Sequence, residues 1–189
     1  FPAAVEDSLA ATAWVLDHLA ELGGNDQVGV AGDSAGGNLA AVVAQEYRDR
    51  ITAQLLVYPL VDHGARRYES RRDNGSGYGL EISQMSWYRR MYLPDGLQVD
   101  ADDPRLSPIT GDLRGLPGAV VVTAEFDTLR DEGEAYAAAL REAGVRVDAV
   151  RYDGLVHGFT EMGRVSPACD AASADMHARF ADMLRRPEL

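Results

Sequence analysis

The sequence contains no lysine, and all 18 of its basic residues are arginine. Because there are 30 acidic residues, the formal net charge is −12 on 189 residues. A surface this acidic repels phosphate groups, so we expect no nucleic-acid partner and no docking on anionic membranes. No apolar run approaches the ~20 residues that a membrane-spanning helix needs. Cys169 is the only cysteine, which excludes an intrachain disulfide.

An initiating methionine and a signal-peptide pattern are also absent, because residues 1–7 read Phe-Pro-Ala-Ala-Val-Glu-Asp. Acidic residues this early are typical of the first turn of a helix. We therefore expect the natural N-terminus to lie upstream of Phe1. The expected location is the cytoplasm.

Segments with the apolar pattern of a strand alternate along the chain with segments that have the apolar spacing of a helix. Short apolar strands are predicted at residues 27–31, 51–58, 118–124 and 145–152. Helices are predicted at residues 5–22, from just after Ser34 to residue 47, at residues 81–92 and 131–143, and from Ser166 onward. Gly23 and Pro94 are expected to end the first and third of these helices, and residues 62–80 and 153–159 to form loops. This alternation predicts an α/β fold, with a mostly parallel sheet covered by helices on both faces, in one partial domain over residues 1–189.

A glycine-rich turn follows the first predicted strand and leads directly into a predicted helix. Its sequence fits Gly-x-Ser-x-Gly, which by itself is a weak signal. The strand before it and the helix after it are the context of a nucleophile elbow, so we predict Ser34 to be a nucleophile. The tight turn is expected to leave no room for a Cβ atom at Gly32 or Gly36. The alternative is a glycine-rich turn with an incidental serine. The predicted elbow residues are Gly32, Asp33, Gly36 and Gly37.

A serine nucleophile needs a base, and the sequence offers four histidines. His18 and His177 fall within predicted helices, where an exposed position is the ordinary expectation. His63 follows the second strand, with no acid nearby in an obvious role. His157 lies in the loop after the last strand, from which its ring can reach over the carboxyl edge of the sheet. The chain order nucleophile, acid, histidine of α/β-hydrolases therefore favours His157 as the base.

The acid of the site is predicted at the end of the third strand. Asp127 ends this strand at the same sheet edge as Ser34, so we favour Asp127. Glu125 points to the same side but lies one step deeper. Asp131 belongs to the following helix, where an acidic residue ordinarily interacts with the N-terminal dipole.

Several ordered motifs resemble the hormone-sensitive-lipase-like serine esterases, also called bacterial esterase family IV. The similar segments are Gly-Asp-Ser-Ala-Gly-Gly-Asn-Leu at 32–39, Glu-Phe-Asp-Thr-Leu-Arg-Asp-Glu-Gly at 125–133, His-Gly-Phe at 157–159, Asp-Pro-x-x-Ser-Pro at 103–108 and residues 1–7. The resemblance implies the same triad of Ser34, Asp127 and His157. Thr128 stands where the family commonly has proline, which should loosen that turn slightly without removing the acid.

The family's His-Gly-Gly-Gly loop, which supplies backbone N–H groups to the oxyanion hole, does not occur in this sequence. Of the backbone N–H groups expected to form the oxyanion hole, this sequence supplies that of Ala35. Because the loss of one oxyanion donor typically costs about 10²- to 10³-fold in turnover, we expect this chain to be weakly active or inactive. The resemblance also places a further strand beside residues 27–31. Without that strand we expect an exposed edge that destabilises the chain or invites pairing with a second copy.

The resemblance implies a carboxylic ester hydrolase that acts on small esters with short to medium acyl chains, without a metal or an organic cofactor. Tyr78, Met85 and Trp87 are candidates to line an acyl pocket, although core packing is the favoured role for them. One alternative is a non-catalytic, receptor-like binding protein of the same fold, against which the intact triad argues. The other is an α/β-hydrolase serine peptidase, which uses the same three residues.

Overall fold

A computed structural model describes residues 1–64, 66–93 and 96–185. Four strands are present in this part of the chain: β1 (Gly29–Asp33), β2 (Ala53–Val57), β3 (Gly118–Phe126) and β4 (Val147–Val156). The α-helices are α1 (Ala3–Asp17), α2 (Ser34–Glu46), α3 (Glu69–Asp73), α4 (Ile82–Tyr92), α5 (Arg130–Glu142) and α6 (Pro167–Arg185). Short 3₁₀ helices lie at Pro108–Thr110 and Phe159–Met162.

The strands form one parallel sheet in the order β1-β2-β3-β4. Each strand is joined to the next by a segment that contains a helix, as parallel pairing requires. All five residues of β2 are buried, which explains why its sequence is apolar except for Gln54, whose amide donates to the carbonyl of Pro117. The carboxyl ends of the four strands therefore share one edge of the sheet.

Helices cover both faces of the sheet, as the sequence predicts. One face packs on α6, and its core includes Leu55, Val120 and Met176. The other face packs on α2 and α5, and its core includes Leu56 and Tyr136. Leu55 and Leu56 point to opposite faces because side chains alternate along a strand. The predicted apolar face of α6 is also confirmed, since its four residues Ala172, Met176, Phe180 and Leu184 all contact the first cluster.

The first helix is shorter than predicted, ending at Asp17 and not at residue 22. His18 follows it, with Nδ1 2.7 Å from the carbonyl oxygen of Trp14 and a ring that stacks on Trp14 at 4.5 Å. A side chain that bonds one of the last carbonyl groups ends a helix without a glycine. The expectation that Gly23 ends this helix is therefore wrong, because α1 ends several residues earlier.

Two predicted loops contain regular structure. Strand β4 continues to Val156, because Phe126 pairs with Val156 past an irregularity and Glu125 Oε2 accepts the N–H of Gly154 at 2.6 Å. Helix α3 lies within the predicted loop 62–80, where Asp131 Oδ2 accepts the N–H of Ser70 at 2.7 Å. Both elements depend on contacts with residues distant in sequence. Pro94, the expected end of α4, lies outside the described residues.

None of the helices in these described ranges combines the length and the apolar character that crossing a membrane requires.

Candidate active site

Ser34 lies at the junction of β1 and α2 in a strained backbone conformation. Its φ angle is +52°, a value that a non-glycine residue adopts only where its surroundings impose it. At Gly32, a Cβ atom would lie 2.2 Å from the carbonyl oxygen of Gly36. At Gly37, a Cβ atom would lie 2.9 Å from Cβ of Pro59. The strand-to-helix turn is therefore as tight as predicted at Gly32, where only glycine fits.

The expectation for Gly36 is wrong. A Cβ atom there would meet nothing nearer than Asp33 Oδ1 at 3.9 Å, which is ordinary van der Waals contact. Gly37 is the second crowded glycine, because its lack of a Cβ atom leaves space for Pro59 in the segment after β2. Asp33 is the exposed last residue of β1, and its side chain makes no capping hydrogen bond to α2.

The structure brings Ser34, His157 and Asp127 together in one hydrogen-bonded chain. The Oγ atom of Ser34 lies 3.0 Å from Nε2 of His157. On the far side of the ring, Nδ1 of His157 lies 2.8 Å from Oδ2 of Asp127. A donating Nδ1–H leaves Nε2 as the acceptor that faces the serine hydroxyl. This tautomer can therefore receive the proton of Ser34.

Asp127 is held from several directions. Its side chain is fully buried, and Oδ1 accepts the N–H of Leu129 at 2.8 Å. Its backbone carbonyl accepts a hydrogen bond from the side-chain amide of Asn74 at 3.2 Å. Because Oδ1 is engaged by Leu129, the other carboxylate oxygen, Oδ2, is the one that faces His157. The orientation of the imidazole therefore follows from the packing around Asp127.

The other candidate acids and bases lie in different surroundings. Glu125 bonds Gly154, and Asp131 bonds Ser70 and Arg130, so neither carboxylate contacts His157. His18 caps α1 and His177 is exposed on α6.

His63 lies in the wall of the cavity that contains Ser34 and His157. Burial, together with the nearby guanidinium groups of Arg89 and Arg71, lowers the pKa of His63 to about 4. His63 is therefore an uncharged imidazole in the cavity wall at neutral pH. The sequence analysis did not assign it to the cavity.

The predicted oxyanion donor, the N–H of Ala35, occupies the second position of α2. The first four N–H groups of a helix have no partner within the helix, and the helix dipole makes this end positive. Ala35 borders the cavity next to Ser34. The start of α2 can therefore donate to a negatively charged oxygen formed beside Ser34.

A cavity of about 870 Å³ opens above Ser34 and His157. Its apolar lining includes Leu39, Leu60, Leu80, Ile82, Met85 and Leu129. Met85 thus lines the cavity, whereas Tyr78 stacks on Phe126 at 4.9 Å and Trp87 is 51% exposed. The expectation that this segment packs in the core is wrong, because α4 has no buried residue. An apolar cavity of this size accommodates a small organic molecule.

Buried charges support the cavity wall. The fully buried side chain of Glu132 accepts two hydrogen bonds from Arg71, the shorter at 2.5 Å, and the N–H of Val61 at 2.9 Å. The buried carboxylate of Asp62 accepts the hydroxyl of Tyr68 at 2.7 Å. The sequence analysis placed Arg71 in the predicted loop 62–80 and assigned it no role. Charge in a glycine-rich stretch gives no local signal of burial, so this network was missed.

Within residues 1–64, 66–93 and 96–185, no group of three or more histidine, cysteine or acidic side chains is arranged to hold a metal ion.

Residues 1–161 match the protein family described as having the alpha/beta hydrolase fold. The chain belongs to this family. The α/β-hydrolase fold predicted from the sequence is therefore confirmed, and so is the resemblance to its serine esterases.

Several named relatives of this α/β hydrolase are ester hydrolases. The carboxylic ester hydrolase LipN of Mycobacterium tuberculosis is 41% identical over 196 aligned positions, covering 98% of this chain and 52% of LipN. An arylesterase of Saccharolobus solfataricus is 41% identical over 174 positions, covering 88% of this chain and 55% of the arylesterase. The solved structure of a hyperthermophilic esterase from the archaeon Pyrobaculum calidifontis superimposes with a TM-score of 0.90 at 43% identity, covering 97% of this chain and 62% of that one. The chain spans about half the length of the curated relatives that it matches.

Proposed function

We propose that this α/β hydrolase carries the nucleophile, base and acid of a carboxylic ester hydrolase. The observation that supports the proposal most directly is the hydrogen-bonded chain from Ser34 Oγ through His157 to Asp127. The names of the relatives support the same reaction class. The proposed substrates are small esters with short to medium acyl chains, because the cavity above Ser34 is largely apolar.

In the proposed reaction His157 Nε2 takes the proton of Ser34 as Oγ attacks the ester carbonyl. The tetrahedral intermediate places its oxyanion at the N–H of Ala35, and Asp127 stabilises the imidazolium that forms. His157 then donates its proton to the departing alcohol, which leaves an acyl group on Ser34. A water molecule then gives a proton to His157 and attacks the acyl carbonyl, and His157 returns that proton to Ser34 Oγ as the bond to the acyl group breaks, which releases the acid and restores the serine.

The experiment is covalent labelling of the chain with a fluorophosphonate probe, followed by mapping of the modified residue. Labelling reports an activated serine and does not require complete turnover, which we expect to be slow because Ala35 is the single predicted oxyanion donor. We expect modification at Ser34 alone and none in Ser34→Ala. Ser173→Ala is the matched control, since that hydroxyl bonds the carbonyl of Cys169 within α6 and should not affect labelling.

Hydrolysis of nitrophenyl esters and of the corresponding anilides separates an esterase from a peptidase. Preferential cleavage of the ester supports the proposal, whereas equal cleavage of the anilide favours the peptidase. A folded chain that neither reacts with the probe nor cleaves either substrate contradicts the proposal and favours a binding function.

Compartment and assembly are further proposals from the sequence. We propose a cytoplasmic protein, tested by fractionation of the source cells. Association between copies of the chain is tested at the edge of the sheet, as described in the Discussion.

A further inference from the structure

Tyr58 follows the last residue of β2 and is fully buried beside the candidate active site. Its φ angle is +35°, the second non-glycine residue with positive φ in the described chain besides Ser34. Its N–H still bonds the carbonyl of Val122 at 2.7 Å. Strain of this kind persists only where surrounding contacts hold the residue in place, and it concentrates at functional sites.

The ring of Tyr58 packs against the imidazole of His157. Their ring centroids are 4.5 Å apart with planes inclined at 52°. Phe159 also packs on Tyr58, with the two rings edge-on and their centroids 5.3 Å apart. The two hydrogen bonds of His157 hold its nitrogens, but they leave the ring free to tilt about the line between the two partners. Contact with Tyr58 restricts that tilt.

The hydroxyl of Tyr58 reaches the segment that carries His157. Its Oη atom shares a hydrogen bond of 2.5 Å with Oγ1 of Thr160, three residues after His157. Burial raises the pKa of Tyr58 to about 12, with further contributions from the negative charges of Asp33, Glu161 and Asp127 that face it. The hydroxyl therefore stays protonated over the working pH range and can keep this bond.

We propose that Tyr58 is a positioning residue for the general base: its ring holds the imidazole of His157 in plane with Ser34 and Asp127, and its hydroxyl clamps the His157 segment through Thr160. This inference rests on the proposed function of His157. The contact also favours the cation that His157 becomes during attack, because an aromatic ring attracts an adjacent positive charge.

The test compares saturation kinetics of fluorophosphonate labelling in Tyr58→Phe, Thr160→Val, the double variant and Tyr58→Leu. We expect Tyr58→Phe and Thr160→Val each to lower the maximal labelling rate about fivefold, the contribution of one buried hydrogen bond. The double variant should be no slower than either, because both changes remove the same bond. Tyr58→Leu also removes the ring and should lower the rate about 50-fold. The probe concentration at half-saturation should stay constant, since Tyr58 does not line the cavity.

Tyr136→Phe is the matched control. Tyr136 is another fully buried tyrosine, its hydroxyl accepts a hydrogen bond from Gln45 at 3.2 Å, and it belongs to the core on the face of α2 and α5. Its loss should lower stability to urea without changing the maximal labelling rate. An additive double variant, or a labelling loss in Tyr136→Phe equal to that in Tyr58→Phe, overturns the inference.

The NMR resonance of the His157 Nδ1 proton provides a measurement that does not depend on reactivity. We expect Tyr58→Leu to broaden this resonance by faster exchange with water, while Tyr136→Phe leaves it sharp. If the wild-type chain is not labelled at all, the proposed function fails, and this resonance still decides the position of the ring. An unchanged resonance in Tyr58→Leu overturns the inference whatever the labelling shows.

Discussion

Gly32 and Gly36 occupy equivalent places in the sequence pattern but different surroundings in the fold. A Cβ atom at Gly32 would overlap the main chain of Gly36, which cannot move without opening the turn around Ser34. Gly36 lies in the first turn of α2, where a Cβ atom would make only ordinary van der Waals contact, and its φ angle is not positive. At this scale the pattern Gly-x-Ser-x-Gly thus contains one residue that the turn requires and one that it tolerates.

Alanine at the two positions should therefore have opposite effects on stability. We expect Gly32→Ala to lower the free energy of unfolding by about 2 kcal/mol or more, because backbone atoms must shift to accept the new carbon. Gly36→Ala should raise it by about 0.5 kcal/mol, because alanine loses less conformational entropy in a helix. Urea denaturation of the two variants measures both values. Equal destabilisation by both substitutions would contradict this account of the turn.

The charge of Asp127 is predicted to matter more than its shape. Asp127→Asn keeps the size of the side chain but offers an amide to Nδ1 of His157, which favours the wrong tautomer. We expect labelling of Ser34 to slow by about 10³- to 10⁴-fold.

Glu125→Gln is the control for this variant. It removes the competing carboxylate while keeping an acceptor for the N–H of Gly154. Its labelling rate should stay within about twofold of the wild-type rate, since the charge of Glu125 is not directed at His157. A large loss in Glu125→Gln with little loss in Asp127→Asn would assign the acid to Glu125.

At the scale of elements, Glu132 joins three segments that the chain order separates. From α5 it bonds the N–H groups of Val61 and Asp62 after β2, and it pairs with Arg71 of α3. Burial raises the pKa of Glu132 to about 7, although Arg71 and the two N–H groups act in the opposite direction. This carboxyl thus holds its proton more tightly in the folded chain than in the unfolded one.

The raised pKa has a consequence for stability. An acid whose pKa is higher in the folded state than its ordinary value of 4.5 binds more protons when folded, so stability falls as the pH rises from about 4.5 to about 7. Relative to Glu132→Gln, which does not titrate, the wild-type chain should lose about 2 kcal/mol between about pH 5.5 and about pH 8. Urea denaturation of both proteins at the two pH values measures this difference. A difference that is independent of pH would show that Glu132 is ionised throughout the range.

At the scale of the whole molecule, β1 lies at one edge of the sheet. Among the described residues it pairs with β2 alone, and Gly29, Ala31 and Asp33 are exposed along it. The N–H and C=O groups on its outer side are available to another strand, which is the usual route to association between sheets. The sequence analysis expected an exposed edge here, and the topology has one.

A lysine on this strand tests the proposed association between copies of the chain. Charged side chains on an edge strand oppose pairing with a second copy, so Ala31→Lys should shift sedimentation toward the monomer. Ala178→Lys adds the same charge at an exposed position of α6 and should leave the association unchanged. If both variants dissociate equally, net charge and not the β1 edge controls assembly.

The order of strands and helices was predictable because the signals for them are local. Apolar runs such as residues 51–58 and the glycine-rich turn at Ser34 carry their meaning within a few residues. The early end of α1 is a local feature that the sequence analysis missed, because His18 bonds the carbonyl of Trp14 only four residues before it. Helix α3 and the extension of β4 were missed because a distant contact overrides the local signal, between Asp131 and Ser70 and between Glu125 and Gly154. No window of sequence contains both partners of such a contact.

The sequence by itself determined the α/β alternation, the parallel sheet and the identity of Ser34, Asp127 and His157 as candidates. Motif spacing and chain order carry this information, because a glycine-rich turn between a strand and a helix is the typical setting of a nucleophilic serine, and the acid and the histidine follow it in a fixed order. Only the tertiary structure decided that Asp127 and not Glu125 faces the imidazole, that Gly37 and not Gly36 is the second crowded glycine, and that Tyr58 contacts His157. These features depend on distances between segments far apart in the chain, which are set by the packing of the sheet and its helices.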